Sequence, residues 1–268
     1  MKDLTGPGVR DLSFGYPGRP RLLASVTANA SRGRVTAILG PNGSGKTTLL
    51  RVLLGQLHPD KGEVFLGDDR VLDLDERERA CRMAYVPQEG SAAFAMRLSE
   101  VVSLGCWPAG ARRSVAEAEI ERWGLHDLAG SNWPSLSGGE RQRGLLARAC
   151  CQVQSRGEAL LLDEPTASMD PAWAHRTLSL LRQLAAEEQL AIVAVIHDLD
   201  LAARYADDGW LISCGRMLAA GSITDVLTAS HLEQAYGIGF TMLDLAGGYR
   251  TPIVSLDGSG RANVDRMR

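Results

Sequence analysis

The stretch "GPNGSGKT", residues 40 to 47, carries the strongest chemical signal in the chain. It fits G-x-x-x-x-G-K-[ST], with Gly40, Gly45, Lys46 and Thr47 at the fixed positions. Glycines let a backbone wrap with its N–H groups pointing inward, which is how a loop cradles phosphate oxygens. Lys46 adds a positive charge for β- and γ-phosphate oxygens, and the Thr47 hydroxyl suits Mg²⁺. The residues expected to contact a nucleotide here are Gly40, Pro41, Asn42, Gly43, Ser44, Gly45, Lys46, Thr47 and Thr48. A carboxylate pair follows in "LLLDEP", residues 160 to 165. Asp163 ends an apolar run, where a carboxylate is costly without a cation beside it. Mg²⁺ is the expected cation. Glu164, next in the chain, can polarise a water in line with the γ-phosphate. A third stretch, "LSGGERQR" at 136–143, offers the Ser137 hydroxyl with Gly138 and Gly139. It has the look of a second phosphate-contacting segment in a chain that already has one.

These groups need elements to hold them. "VTAILG" (35–40) is a short apolar run rich in β-branched residues and reads as a buried strand. "KTTLLRVLLGQL" (46–57) has helical spacing, with Gly55 and Pro59 marking its end. The glycine loop therefore joins a strand to a helix, whose positive end adds to the field on an anion. "ALLLD" (159–163) and "AIVAVIH" (191–197) are continuous apolar strands of the kind buried on both faces of a parallel sheet. "EVFLG" (63–67) and "MAYVPQ" (83–88) are shorter strands. "AWAHRTLSLLRQLAAEE" (172–188) and "DLDLAARYA" read as helices. The alternation implies crossover units and a parallel core sheet. Between about residues 90 and 157 the pattern changes to helices separated by Gly/Pro-rich breaks. A helical insertion is expected there, and 256–268, rich in Gly, Ser and Arg, reads as a flexible tail.

The bulk composition excludes other classes. A chain 45% apolar and 23% charged is not disordered as a whole. A formal charge of -3 without blocks of like charge points to no nucleic-acid partner. No apolar run is long enough to span a bilayer, and "MKDLTGPGVR" lacks the apolar core of a secretory signal. A cytosolic location is the expectation. The five cysteines have no CxxC or Cys/His spacing, so reduced, mostly buried thiols are expected rather than a metal site.

In order and in content, these motifs resemble the nucleotide-binding subunit of an ATP-binding cassette (ABC) transporter, over nearly the whole chain. "GPNGSGKT" is similar to the family's Walker A motif, "LLLDE" to Walker B with its glutamate, and "LSGGERQR" to the ABC signature. Gln88 in "YVPQ" sits at the Q-loop position, "SMD" (168–170) at the D-loop and His197 in "VIHD" at the switch histidine. Tyr16 in "FGYPGR" stands where an aromatic residue stacks on adenine. The resemblance implies an α/β P-loop NTPase with a mostly parallel core sheet, an antiparallel β subdomain and an inserted α-helical subdomain. Residues 1–255 then form a single ATPase domain, with the helical subdomain inserted over about 90–157. It implies ATP and Mg²⁺ as cofactors, the metal held by Thr47, Gln88 and Asp163. Lys46, Glu164 and His197 become the catalytic residues, with Glu164 as general base and His197 on the γ-phosphate. Two copies meet head to tail, and Ser137, Gly138 and Gly139 of one cap the ATP held by the other. Asp170 contacts the opposite subunit. The D-loop has Met169 where relatives often have leucine. Gly144 stands where many have a β-branched residue, a departure to which the sequence assigns no function.

With no span of its own, such a chain works on two transmembrane permease subunits at the cytoplasmic face of a bacterial inner membrane. A periplasmic or surface substrate-binding protein delivers the cargo. The distal stretches "AVIHDLDLAARYADDGWLI", "GRMLAAGSITDVLT" and "LEQAYGIGF" resemble importers of iron–siderophore complexes, haem and vitamin B12. An iron chelate, siderophore-bound or haem, is one expectation and cobalamin the other. A soluble, non-transport ABC ATPase is the reading from another class. Such proteins usually carry two cassettes or a long coiled-coil insertion, and this sequence has neither.

Overall fold

A computed structural model describes residues 6–88, 96–108, 110–154, 156–245 and 248–255. The elements run β1 (Pro7–Tyr16), β2 (Arg19–Asn29), β3 (Val35–Leu39), α1 (Lys46–Leu53), β4 (Lys61–Leu66), β5 (Asp69–Arg70), α2 (Glu76–Arg82) and β6 (Met83–Val86). Then come α3 (Leu98–Ser103), α4 (Arg113–Arg122), α5 (Gly138–Val153), β7 (Ala159–Asp163), α6 (Pro171–Glu188), β8 (Ala191–Val195) and α7 (Leu199–Tyr205). The chain closes with β9 (Asp208–Ser213), β10 (Arg216–Ser222), α8 (Ile223–Val226), α9 (Ala229–Tyr236) and the hairpin β11 (Phe240–Leu245) and β12 (Tyr249–Val254). The expected tail, 256–268, lies outside the described residues.

Six strands form the central sheet in the order β10-β9-β3-β8-β7-β6. All neighbours pair in parallel except the edge strand β10. Every residue of β3, β7 and β8 is buried, as a sheet covered on both faces requires. Side chains alternate between two cores: Leu160 and Leu162 enter one, Leu161 the other. The first core lies against α4, α5 and α6; the second lies under α1 and a four-stranded antiparallel sheet, β2-β1-β4-β5. This is the α/β architecture expected, with its antiparallel β layer and a helical stretch over 98–153. Among the described residues no helix is long and apolar enough to cross a membrane. The helix after the glycine loop is shorter than its periodicity suggests. It stops at Leu53 because Gly55 turns the chain at φ 73. Cys106, Cys150 and Cys151 are buried and all five thiols are free, although Cys214 is exposed.

Gly144 has a packing reason. A Cβ there would lie 2.8 Å from Leu98 Cδ1 and 2.8 Å from Trp133 Cζ3. Both neighbours are themselves fully buried, at 0% and 1% exposure, so neither has room to yield. Alanine would gain about 1 kcal/mol in helix propensity, but overpacking a closed site costs roughly 1–3 kcal/mol. Gly144→Ala is therefore expected to be neutral to slightly destabilising. Gly144→Val, with more bulk and poorer propensity, is expected to lose about 3 kcal/mol. Urea unfolding checks this, and a valine variant as stable as the parent would refute it.

Glu119 on α4 is a buried carboxylate at 3% exposure. It accepts from Trp123 Nε1 at 3.2 Å and pairs with Arg122 at 3.4 Å. Burial nevertheless holds its carboxyl above the usual range, outweighing the arginine and the indole. The folded state thus binds the proton more tightly than the unfolded chain. The stability this supplies is full below the unfolded pKa and lost as pH rises through the folded one. Glu119→Gln keeps the acceptor without the charge. It should melt higher than the parent above the folded pKa, with the gap closing as pH falls. Parallel melts from pH 4 to 8 test it, and a gap that widens toward acid would overturn the assignment.

Candidate functional site

Adjacent parallel strands deliver the polar residues to one edge of the sheet. The 40–45 loop follows β3. His197 stands two residues beyond β8, Asp163 is the last residue of β7 with Glu164 next, and Gln88 stands two residues beyond β6. Because β3, β8, β7 and β6 are successive neighbours, residues more than a hundred positions apart converge at their carboxyl ends. Open α/β sheets keep their ligand sites at this edge.

The glycine loop has a conformation that its glycines supply: Gly40, Gly43 and Gly45 have φ of 139, 78 and 103. Gly45 caps α1 without a side-chain hydrogen bond, so the first-turn N–H groups are open to an anion. Lys46 is 6% exposed. Its Nζ donates to the carbonyl oxygens of Gly40 at 2.8 Å and Pro41 at 2.9 Å. Burial draws the ammonium below its ordinary pKa, while the charges of Glu164 and Asp163 oppose that. The Ser44 Oγ is buried with no hydrogen-bond partner. A buried cation turned on its own loop and an orphaned hydroxyl are what a phosphate would satisfy. A cleft of about 460 Å³ is lined by Tyr16, Leu22, Asn42, Gly43 and Gly45. Lys46, Thr47, Thr48, Glu164 and His197 line it as well. Phe14 meets the Tyr16 ring edge-on, with centroids 4.9 Å apart.

Thr47 Oγ1 donates to Asp163 Oδ1 at 3.1 Å, and the Tyr85 hydroxyl donates to Oδ2 at 3.3 Å. Burial holds the Asp163 carboxyl above its ordinary range, and the neighbouring Glu164 charge adds to this. A hydroxyl and a buried, under-compensated carboxylate side by side form the hard-oxygen pair that fits Mg²⁺ completed by phosphate and water.

Glu164 has a left-handed backbone, φ 50, and it lines the same cleft. Both of its oxygens are occupied. His197 Nε2 is 2.7 Å from Oε1, and Gln88 Nε2 donates to Oε2 at 2.7 Å. Gln88 therefore reaches Glu164 rather than the Thr47–Asp163 pair in this structure.

Ser137 is exposed and caps α5: its Oγ accepts from Glu140 N at 3.3 Å, and Ser137 N donates to Glu140 Oε2 at 2.7 Å. The 137–139 segment lines no part of the cleft at Lys46. It abuts the chain's own 168–170 loop, with Ser168 O 3.0 Å from a Cβ built on Gly139. Asp170 caps α6 through Trp173 N at 2.9 Å, and Met169 Sδ accepts from Thr177 Oγ1 at 3.2 Å. Sequence reasoning did not single out Tyr85, Gln142 or Arg143. Gln142 Nε2 donates to the Pro87 carbonyl at 3.3 Å, tying α5 to the segment that carries Gln88. The only signal available for these was their place inside the "YVPQ" and "ERQR" stretches.

The chain as a whole has matches among known proteins. A family model described as "ABC transporter" matches residues 23–167. The hemin import ATP-binding protein HmuV of Bordetella bronchiseptica is 38% identical over 240 residues, covering 85% of this chain and 91% of that protein. The cobalamin import ATP-binding protein BtuD of Halobacterium salinarum is 41% identical over 222 residues, covering 81% of this chain and 55% of that protein. Among solved structures, a chain of a protein described as a metal-chelate type ABC transporter in an inward-facing conformation is 26% identical. It superposes with a TM-score of 0.79, covering 94% of this chain and 98% of that one.

Proposed function

This chain belongs to the ABC transporter family, and on that premise we propose that it is the ATPase subunit powering a bacterial importer of an iron chelate, with haem as the cargo. The observation that carries the ATPase chemistry is convergence. Lys46, Thr47, Glu164 and His197 line one cleft together with Tyr16, and Asp163 joins them through its hydrogen bond from Thr47. Adenine stacks on Tyr16 and the phosphates lie along 40–48, with Lys46 turning from its loop carbonyls to the β- and γ-oxygens. Thr47 and Asp163, with Gln88, would hold Mg²⁺, which would supply neutralisation of phosphate charge. Glu164 takes the proton of the attacking water, and His197 orients that water and the γ-phosphate. Ser137, Gly138, Gly139 and Asp170 act on the nucleotide of a second copy, since the chain's own cleft excludes the first three. The working unit is a homodimer.

The dimer sits on two permease subunits at the cytoplasmic face of the membrane. Residues 1–255 act as a single cassette whose inserted helices meet the permease. A groove of about 660 Å³ in that helical layer supports this, since Leu104 is 46% exposed and Trp107 85% exposed along it. Haem is supported over cobalamin by extent: the hemin relative is matched over 91% of its length and the cobalamin relative over 55%. Cobalamin stays the second reading because that relative is 41% identical. The test is to purify the chain with its permease and supply binding protein loaded with haem, a ferric siderophore or cobalamin. Haem is expected to stimulate ATP hydrolysis most. Stimulation by cobalamin alone would refute the cargo, and failure to copurify with any polytopic permease would refute the importer.

A further inference from the structure

Arg143 is a buried arginine, 7% exposed, without a carboxylate hydrogen-bonded to it among the described residues. Its Nη1 donates to two carbonyls at the end of α4, Trp123 O at 2.9 Å and Gly124 O at 3.0 Å. Its guanidinium lies over the Trp173 ring on α6, 3.7 Å from the centroid. Gly124 packs on the edge of the same ring: a Cβ there would be 2.9 Å from Trp173 Cη2. One side chain on α5 thus locks the end of α4 and the start of α6 together. A second contact lies nearer the helix starts. A Cβ on Gly138 would be 3.1 Å from Ser168 Cβ, and one on Gly139 would be 3.0 Å from Ser168 O. Arg143 is five residues beyond Gly138, about 7.5 Å along the helix. Two contacts at separate levels fix both the distance and the rotation between the beginnings of α5 and α6.

We infer that Arg143 and Trp173 are positioning residues that hold the 137–139 segment and the 168–170 loop as one rigid jaw, so that a chain presents both to another copy's nucleotide in a single movement. Neither residue touches the chain's own nucleotide cleft, so the jaw acts on turnover through Ser137 and Asp170. Cation–π contact with a desolvated guanidinium supplies the lock, and the α4 carbonyls carry the motion of the helical insertion into it. The inference rests on the head-to-tail reading of the proposed function.

The experiment uses the full-length chain and measures ATP binding at low protein concentration and turnover at high concentration. Trp173→Leu keeps apolar bulk but removes the aromatic face, whereas Trp173→Phe keeps a face. Trp173→Leu and Arg143→Lys are expected to lower kcat roughly tenfold with ATP affinity at low concentration unchanged. Trp173→Phe should recover most of the loss. The double variant Arg143→Lys/Trp173→Leu should cost no more than either single, because one lock is broken once. Parental turnover in Trp173→Leu, equal loss in Trp173→Phe, additive losses in the double, or a loss that tracks weaker ATP binding would each overturn the jaw. The reading beneath it is checked separately by ATP-dependent dimer formation in Glu164→Gln. If no dimer forms, that reading fails; if it forms while Trp173→Leu turns over normally, only the jaw fails.

Discussion

Glu164→Gln is expected to bind ATP with near-parental affinity, accumulate as a closed dimer and lose hydrolysis by about 10²–10⁴-fold, the range for removing a general base. The substitution is nearly isosteric, and the neighbouring groups can accommodate the amide. Gln88 donates to Oε2, so the new carbonyl oxygen must face Gln88. The new NH₂ then faces His197 Nε2, which accepts it by carrying its proton on Nδ1 instead. No buried donor is orphaned, and stability should stay within about 0.5 kcal/mol of the parent. What is lost is the basic carboxylate that lines the cleft. Steady-state phosphate release, nucleotide binding and size-exclusion chromatography with ATP check the three parts. Turnover within tenfold of the parent would remove Glu164 as the base and shift attention to His197 acting alone.

Much of this centre can be read from the sequence because of how it is built. β7 and β8 are buried on both faces, so they stand out as unbroken apolar runs, and Asp163, Glu164 and His197 are legible as what interrupts or follows them. The glycine loop is legible because few other compositions allow its backbone. β1 and β2 of the antiparallel layer give no such signal. The β1–β2 pairing shifts register between Val9 and Leu12, Leu12 and Phe14, and Phe14 and Tyr16, and Asp11, Arg21 and Ser25 have positive φ. Bulges of that kind erase the period-2 alternation by which a half-buried strand is recognised. The Gln88–Glu164 bond was out of reach for a different reason. It joins positions 76 apart, and only the sheet order makes them neighbours. Gly144 was visible as an oddity, but its cause, the indole of Trp133 pressed on the helix, is a tertiary fact.

Ser137→Arg is expected to separate binding from hydrolysis: ATP binding by the isolated subunit within about threefold of the parent, and turnover lower by roughly 10²-fold or more. The separation follows from position. Ser137 is exposed and outside the cleft formed by the chain's own loop, so its replacement leaves that half-site whole. The fold should survive. Losing the serine cap costs about 0.5–2 kcal/mol against the roughly 5–15 kcal/mol of a domain. The chain already shows an arginine in an equivalent place, since Arg97 precedes α3 and its backbone N donates to Glu100 Oε2 at 2.7 Å. The Ser137 N to Glu140 bond can persist in the same way. The stricter consequence appears on mixing. A head-to-tail pair of Ser137→Arg with Glu164→Gln has one site in which an intact Glu164 faces an intact Ser137, and one site with both defects. Two inactive variants combined before ATP is added should therefore regain hydrolysis, up to roughly a quarter of the parental sites under random pairing. A site built from a single chain would put one defect in every site and regain nothing. Complementation thus decides whether the two glycine-rich segments of this chain serve one nucleotide or two.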